Sequence, residues 1–199
     1  MADIESRYEF RVWGESLAEL REKIGRRATP VKATSRETYL ISRTTDRCNA
    51  KIRAELIDIK MLRAEYRGLE QWEPALKARF PLDQAIIAGQ IFPNLDIAPP
   101  QLSKARYEIE EFLSEVIGSQ PEIAIAKLSK TRHEFNLITC QAEYTVVVFD
   151  NGVASETVAV ESVDADELLR LIHEIGLDGA ENVSYVRYIK RTLGLASKP

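Results

Sequence analysis

Residues 5–13 read ESRYEFRVW, and the fold follows from how this stretch alternates. Glu5, Arg7, Glu9 and Arg11 take every second position, while Tyr8, Phe10 and Val12 fill the places between. A strand directs successive side chains to opposite faces, so the segment predicts one apolar face and one face of alternating charge. The use of such a charged face is the question that the rest of the chain has to answer.

The same two-faced pattern returns downstream. In NAKIRAELIDIKML (49–62), Lys51 and Arg53 oppose Ile52 and Ala54, and Asp58 and Lys60 oppose Ile57 and Ile59. The polar parity slips by one residue between Glu55 and Asp58, which predicts a bulge or tight turn there. LEQWEPALKARFP (69–81) sets Lys77 and Arg79 against Leu76, Ala78 and Phe80, with Pro74 marking an edge or irregular start and Pro81 the end. ETYLIS (37–42), EIAIAKLSKTRHEFN (122–136), CQAEYTVVVF (140–149) and SETVAVES (155–162) add further strands. The last two are joined through Asp150, Asn151 and Gly152, residues that favour a tight hairpin turn.

Between and after the strands the period becomes helical. ESLAELREKIG (15–25) places Leu17, Leu20 and Ile24 on one stripe, with Ser16 as the expected cap and Gly25 as the stop. PLDQAIIAG and SKARYEIEEFLSEVIG read as helices inserted at about 82–118 between two sets of strands, separated by the proline-rich loop FPNLDIAPPQ. A helix is expected from Asp164, its cap, to Gly176, with Leu168, Leu169, Ile172 and Ile175 as its apolar stripe. NVSYVRYIKRTLG (182–194) closes the chain as a last helix, and a single domain is expected over 1–199.

Composition narrows the classes. The 199 residues carry 27 basic and 31 acidic side chains, a formal charge of -4, which argues against a generic nucleic-acid binder held by a basic surplus. Cys48 and Cys140 stand far apart with no paired spacing, so they read as buried free thiols in a reducing compartment. The opening MADIESRYEF has acids where a signal peptide needs a basic start, and no window approaches the roughly 18 uninterrupted apolar residues of a membrane span. The expectation is a soluble, cytoplasmic protein without membrane partners. His133 and His173 have no nucleophile or ligand pattern beside them and Trp13 and Trp72 read as packing residues. Arg26 and Arg27 read as a solvated helix end with phosphate contact as the sharper alternative.

Taken together the strands carry a polar face containing Glu9, Arg11, Lys51, Arg53, Asp58, Lys60, Lys77, Arg79, Lys130, Arg132 and Glu161. In a sandwich those faces would meet solvent and need no further explanation. If helices cover the apolar faces from outside, the charged faces turn inward, and an α+β fold around a closed or nearly closed antiparallel barrel results. Convergent Lys and Arg side chains in such a lumen favour a bound oligoanion, and carboxylates among them imply internal pairing or a divalent metal.

In strand order the chain resembles the CYTH family, the triphosphate tunnel metalloenzymes. RYEFR is similar to the opening Glu-x-Glu-x-Lys strand, ETYLIS to the second, KIR and DIK to the basic strands that follow, TRHEF to a later basic strand, VFDNG with ETVAVES to the closing acidic hairpin, and NVSYVRYIK to the C-terminal helix. The resemblance implies an eight-stranded antiparallel tunnel, flanked by helices, that holds a triphosphate while carboxylates organise Mg2+ or Mn2+. It assigns Glu9 and Glu161 to metal and catalysis, and Arg11, Lys51, Arg53, Lys60 and Arg132 to phosphate, with Lys77 and Lys130 added from their parity.

Two positions depart from that pattern. Arg7 stands where the family has its first glutamate, and Ala159 stands two residues before Glu161, where a second carboxylate is common. Hard divalent ions need such oxygens. Three functions therefore stay open: binding of a small triphosphate-containing or other oligoanionic ligand, polyphosphate included, with weak or absent metal-dependent hydrolysis; an active Mg2+- or Mn2+-dependent triphosphatase; or a structural or interaction scaffold. Whether the chain forms a homodimer also stays open.

Overall fold

The computed structural model describes residues 6–196, so Glu5 of the opening alternation lies outside the described residues. Strands β1 (Arg7–Gly14), β2 (Val31–Ser42), β3 (Cys48–Arg53), β4 (Leu56–Tyr66), β5 (Leu69–Arg79), β8 (Ile123–Asn136), β9 (Gln141–Phe149) and β10 (Ala154–Ser162) close a barrel. Their order is β1-β10-β9-β8-β2-β3-β4-β5, and β5 pairs back onto β1. β1 with β10, β10 with β9, β9 with β8, β2 with β3 and β3 with β4 all pair antiparallel. Two short strands, β6 (Leu82–Asp83) and β7 (Arg106–Tyr107), form a sheet of their own within the helical insertion. The expected α+β barrel of eight antiparallel strands is present, and among the described residues no helix is long and apolar enough to cross a membrane.

The chain packs as two compact units. The first runs up to Arg36 and adds Leu62–Glu73 and Leu128–Ser184; the second comprises Glu37–Met61, Pro74–Lys127 and the chain from Tyr185 onward.

In the first unit, β1, β10, β9 and β8 turn Phe10, Val12, Val158, Val160, Ala142 and Tyr144 toward α1 (Ala18–Gly25) and α5 (Ala165–Ile175). Leu168, Leu171, Ile172 and Ile175 of α5 are buried there, each contributing about 2 kcal/mol by leaving water. Leu171 thus replaces Leu169 in the expected stripe; Leu169 is only partly buried. Asp164 caps α5, accepting from the Asp166 and Glu167 amides at 2.8 and 3.1 Å, and Gly176 ends it in the left-handed region at φ 80°. At the start of α1 the expectation fails. Leu17 is the flanking residue, no side chain of that position caps the helix, and the Leu17 amide instead donates to Glu156 Oε2 at 2.6 Å. The helix does end at the expected Gly25, with a right-handed Arg26 following it. Beyond Glu9, where pairing with β5 ends, Asn182 and Val183 take up the β1 backbone: Asn182 Oδ1 accepts from the Arg11 amide and Val183 donates to the Arg11 carbonyl, both at 2.8 Å.

In the second unit, β3 and β4 meet at Ala54 and Glu55, whose φ values of 46° and 63° are those of a two-residue hairpin turn. That turn absorbs the parity slip. Ala50, Ile52, Ile57 and Ile59 pack under the insertion, against Ile87, Ile91, Phe92, Phe112 and Val116. The insertion helices are broken up: α2 (Gln84–Ile86) widens into a π turn over Ile87–Ile91 before α3 (Phe92–Asn94), and α4 (Ile109–Glu111) widens over Phe112–Ile117. Within the predicted loop FPNLDIAPPQ, Phe92–Asn94 are therefore helical. The last helix, α6 (Tyr185–Thr192), stacks Tyr185 on Tyr39 with ring centres 5.6 Å apart and buries Lys190 completely against Asp46 and the Thr45 carbonyl.

Candidate functional site

The strand register sorts the charged residues into rows. In the first unit, the face opposite the helices carries Arg7, Glu9 and Arg11 of β1, then Glu161, Ala159 and Thr157 of β10, Gln141, Glu143 and Thr145 of β9, and Glu134, Arg132 and Lys130 of β8. Directly opposed residues share a face, so Glu9 stands beside Glu161, Arg11 beside Ala159, and Ala159 beside Glu143. β10 keeps its register from Glu156 to Ser162, which leaves Glu156 on the other face, at the start of α1.

Arginine side chains take up these carboxylates. Arg11 is 5% exposed and donates from Nε to Glu9 Oε1 at 2.9 Å, and from Nη1 to Thr157 Oγ1 at 3.3 Å and Glu143 Oε1 at 3.4 Å. Arg132 brings Nε to 2.8 Å from Glu143 Oε2 and Nη1 to 3.4 Å from Glu134 Oε1. Burial alone would push the Glu143 carboxyl up, but the charges of Arg11, Arg132 and Lys130 outweigh it and hold that carboxyl below its ordinary value. Arg7 Nη1 donates to Glu161 Oε1 at 3.2 Å and to Gln141 Oε1 at 2.8 Å. Glu70, the buried register partner of Glu9 on β5, accepts from Trp72 Nε1 at 3.0 Å.

The second unit has a different balance. Lys51 pairs in register with Asp58, and Asn49 with Lys60, on the face opposite Ile57 and Ile59. Arg53 Nη1 lies 3.5 Å from Glu37 Oε1, and that buried carboxylate also accepts from the Tyr39 hydroxyl at 3.0 Å. Lys51 Nζ lies 4.0 Å from Asp58 Oδ2, at the limit of an ion pair. Burial lowers the Lys51 ammonium below the ordinary lysine value, Lys60 and Arg53 lower it further, and Glu37 and Asp58 act against them. Asn49 Oδ1 is buried without a hydrogen-bond partner among the described residues.

Of the residues that the sequence marks, Glu9, Arg11, Lys130, Arg132 and Glu161 share the first face, and Lys51, Arg53 and Lys60 share the second. Lys77 is exposed on β5 and makes no ion pair among the described residues, unlike Arg79, which bonds Glu55 at 3.0 Å. Glu143, Glu70, Glu37 and Asn49 were missed. Glu143 had the same signal as the rest, since Gln141, Glu143 and Thr145 alternate with Ala142 and Tyr144, yet one acid in an apolar strand draws little notice.

Divalent metal does not fit these donors as arranged. Glu9 and Glu161, assigned to it by the resemblance, are each held by a guanidinium, and among the described residues no three His, Cys, Asp or Glu side chains come together in a metal-binding group. Arg7 brings a fixed positive charge to Glu161, the position to which the resemblance assigns a metal ion.

No family model and no curated protein matches the sequence. Solved structures do. A putative adenylyl cyclase from Hippeastrum, described as having a dominant triphosphatase activity, is similar over 96% of this chain and 97% of its own, with 12% identity and a TM-score of 0.52. A conserved hypothetical protein from Pyrococcus furiosus is similar over 92% of this chain and 98% of its own, with 13% identity and a TM-score of 0.53. A protein from Pyrococcus horikoshii gives 12% identity and a TM-score of 0.51 over 92% of this chain and 97% of its own. At such identities the likeness is one of fold.

Proposed function

We propose that this chain binds a small triphosphate-bearing or other oligoanionic ligand through the basic side chains of its barrel strands and hydrolyses it weakly or not at all. The observation that carries the reading is Lys51, a largely buried ammonium that burial disfavours although the carboxylates of Glu37 and of Asp58, 4.0 Å away, act in its favour, and whose neighbours Lys60 and Arg53 are also cations. A bound anion offsets that cost. Arg11, Lys130 and Arg132 are the further phosphate-binding residues of this reading, with Lys77 as an outlying addition. The Hippeastrum protein's described triphosphatase activity supports the ligand class, and the Arg7–Glu161 pair supports loss of the metal-dependent step.

One observation favours a second reading, a scaffold without ligand: in the first unit Glu9, Glu143 and Glu161 are all satisfied by arginines of the same unit. Titration calorimetry of the metal-stripped chain with tripolyphosphate, with and without Mg2+ or Mn2+ and followed by a phosphate-release assay, separates the readings. Metal-independent binding that Lys51→Met weakens, with no release, is the expected result. Metal-dependent release makes the chain a triphosphatase, and absence of binding leaves the scaffold.

A further inference from the structure

On the outer side of the first unit, α1 presents Ala18, Arg21, Glu22, Gly25 and Arg26 along one stripe at helical spacing. Together with Pro30 and the buried Phe135 these residues line an open cavity of about 600 Å3. Nothing in the reading of the inward faces involves this cavity.

Its cations are not spent elsewhere. Arg21 lies with its guanidinium carbon 5.2 Å from the centre of the Tyr144 ring, a stack that orients the group while leaving its N–H donors available. Among the described residues neither Arg21 nor Arg26 makes an ion pair, whereas the adjacent Arg27 bonds Glu174 at 2.5 Å. Lys32, exposed on β2, is a third cation whose charge is felt at His133. That residue is the register partner of Tyr144, with ring centres 5.8 Å apart. Burial, then the charges of Arg21 and Lys32, keep the His133 imidazole below its ordinary value. Against these three cations stand Glu22 and Glu156, the latter hydrogen-bonded to the Tyr144 hydroxyl and accepting from the Leu17 amide, so the surroundings carry a surplus of one positive charge. A phosphomonoester carries between about -1.5 and -2 at neutral pH, and Arg forks match its oxygens.

We infer that this cavity is an anion site separate from the barrel interior, taking a small phosphomonoester whose head is clasped by Arg21 and Arg26 and whose apolar part lies against Phe135 and Pro30.

The chain has two histidines, and His173, exposed and bonded to Asp178 at 2.8 Å, is an internal control. Proton NMR of the full chain near pH 6.5, about the ordinary histidine value, follows both rings during titration with phenyl phosphate. A saturable downfield shift of His133 alone is expected, because a bound dianion reverses the field of Arg21 and Lys32. Arg21→Gln with Arg26→Gln, both exposed positions, should weaken the effect by about tenfold or more. Inorganic phosphate should act only at higher concentration, since it lacks the apolar contact. The proposal falls if His133 does not move, if it moves in step with His173, if the glutamine variant responds like the parent, or if the two phosphates act equally. Lys51→Met should leave the shift intact; its loss in that variant would assign the signal to the barrel interior and overturn the proposal.

Discussion

Arg11 and Glu143 meet across Ala159: the alanine is the register partner of both, and the guanidinium on β1 comes within 3.4 Å of the carboxylate on β9, two strands away. A longer side chain at that position would occupy the path. The small residue that removes a metal oxygen from the family pattern is therefore also what lets Arg11 serve three partners.

Arg11→Met tests the value of that arrangement. The Glu143 carboxyl is depressed in the folded chain, so its contribution is present above the unfolded value of about 4.3 and is lost as pH falls through the lower folded value. Removing Arg11 should cost about 3 kcal/mol at neutral pH, the order expected when one partner of a buried pair is deleted. Urea unfolding should show the gap between parent and variant narrowing as the pH falls below the carboxylate range. A gap independent of pH would mean that Arg11 acts through packing alone.

Arg7→Glu combined with Ala159→Glu tests the register of β1 against β10. Positions 7 and 9 on one strand and 159 and 161 on the other form one patch of the same face. The first change takes the guanidinium off Glu161, and together they gather carboxylates where hard divalent ions need them. The double variant should gain Mn2+ binding and metal-dependent phosphate release from tripolyphosphate relative to the parent. Unchanged metal affinity would count against the alignment that places these positions at the family's acidic sites.

Much of this was legible in ESRYEFRVW and its counterparts, because two-residue periodicity specifies which side chains share a strand face and the helical stretches specify what covers the other. The barrel and both charged faces follow from those patterns. What sequence could not supply was pairing across strands. Arg7 and Glu161 are 154 positions apart, and only the antiparallel closure of β1 on β10 brings them to 3.2 Å. Without that contact the inward cations read as a surplus, whereas in the first unit they are matched by Glu9, Glu143 and Glu161. The missed Glu37 is similar: it lies within β2, in a stretch that reads from sequence simply as strand, and its burial makes sense only with Arg53 and Tyr39 beside it.

Lys51 offers a chemical check on the proposed ligand. An amine whose ammonium form is disfavoured by burial is neutral, and so acylated, at lower pH than an ordinary lysine. Competitive labelling at mildly alkaline pH, read by peptide mass mapping, should show Lys51 modified ahead of the exposed Lys77, and tripolyphosphate should slow Lys51 selectively. Equal protection of both lysines would point to general ionic screening.

The completely buried Lys190 on α6 sets up the last prediction, because its ammonium is held by Asp46, itself only 7% exposed, and by the Thr45 carbonyl at 3.0 Å. Lys190→Met strands the Asp46 carboxylate without its counter-charge, at a cost of about 3–5 kcal/mol. Adding Asp46→Asn removes the stranded charge, so the double variant should recover part of that loss although it lacks both ionic groups. A double-mutant cycle by urea unfolding measures the coupling, which should reach at least about 1 kcal/mol for groups in direct contact. Simple additivity would mean that α6 is held by the Tyr39–Tyr185 stack and the burial of Val186 and Ile189, with the ion pair contributing nothing specific.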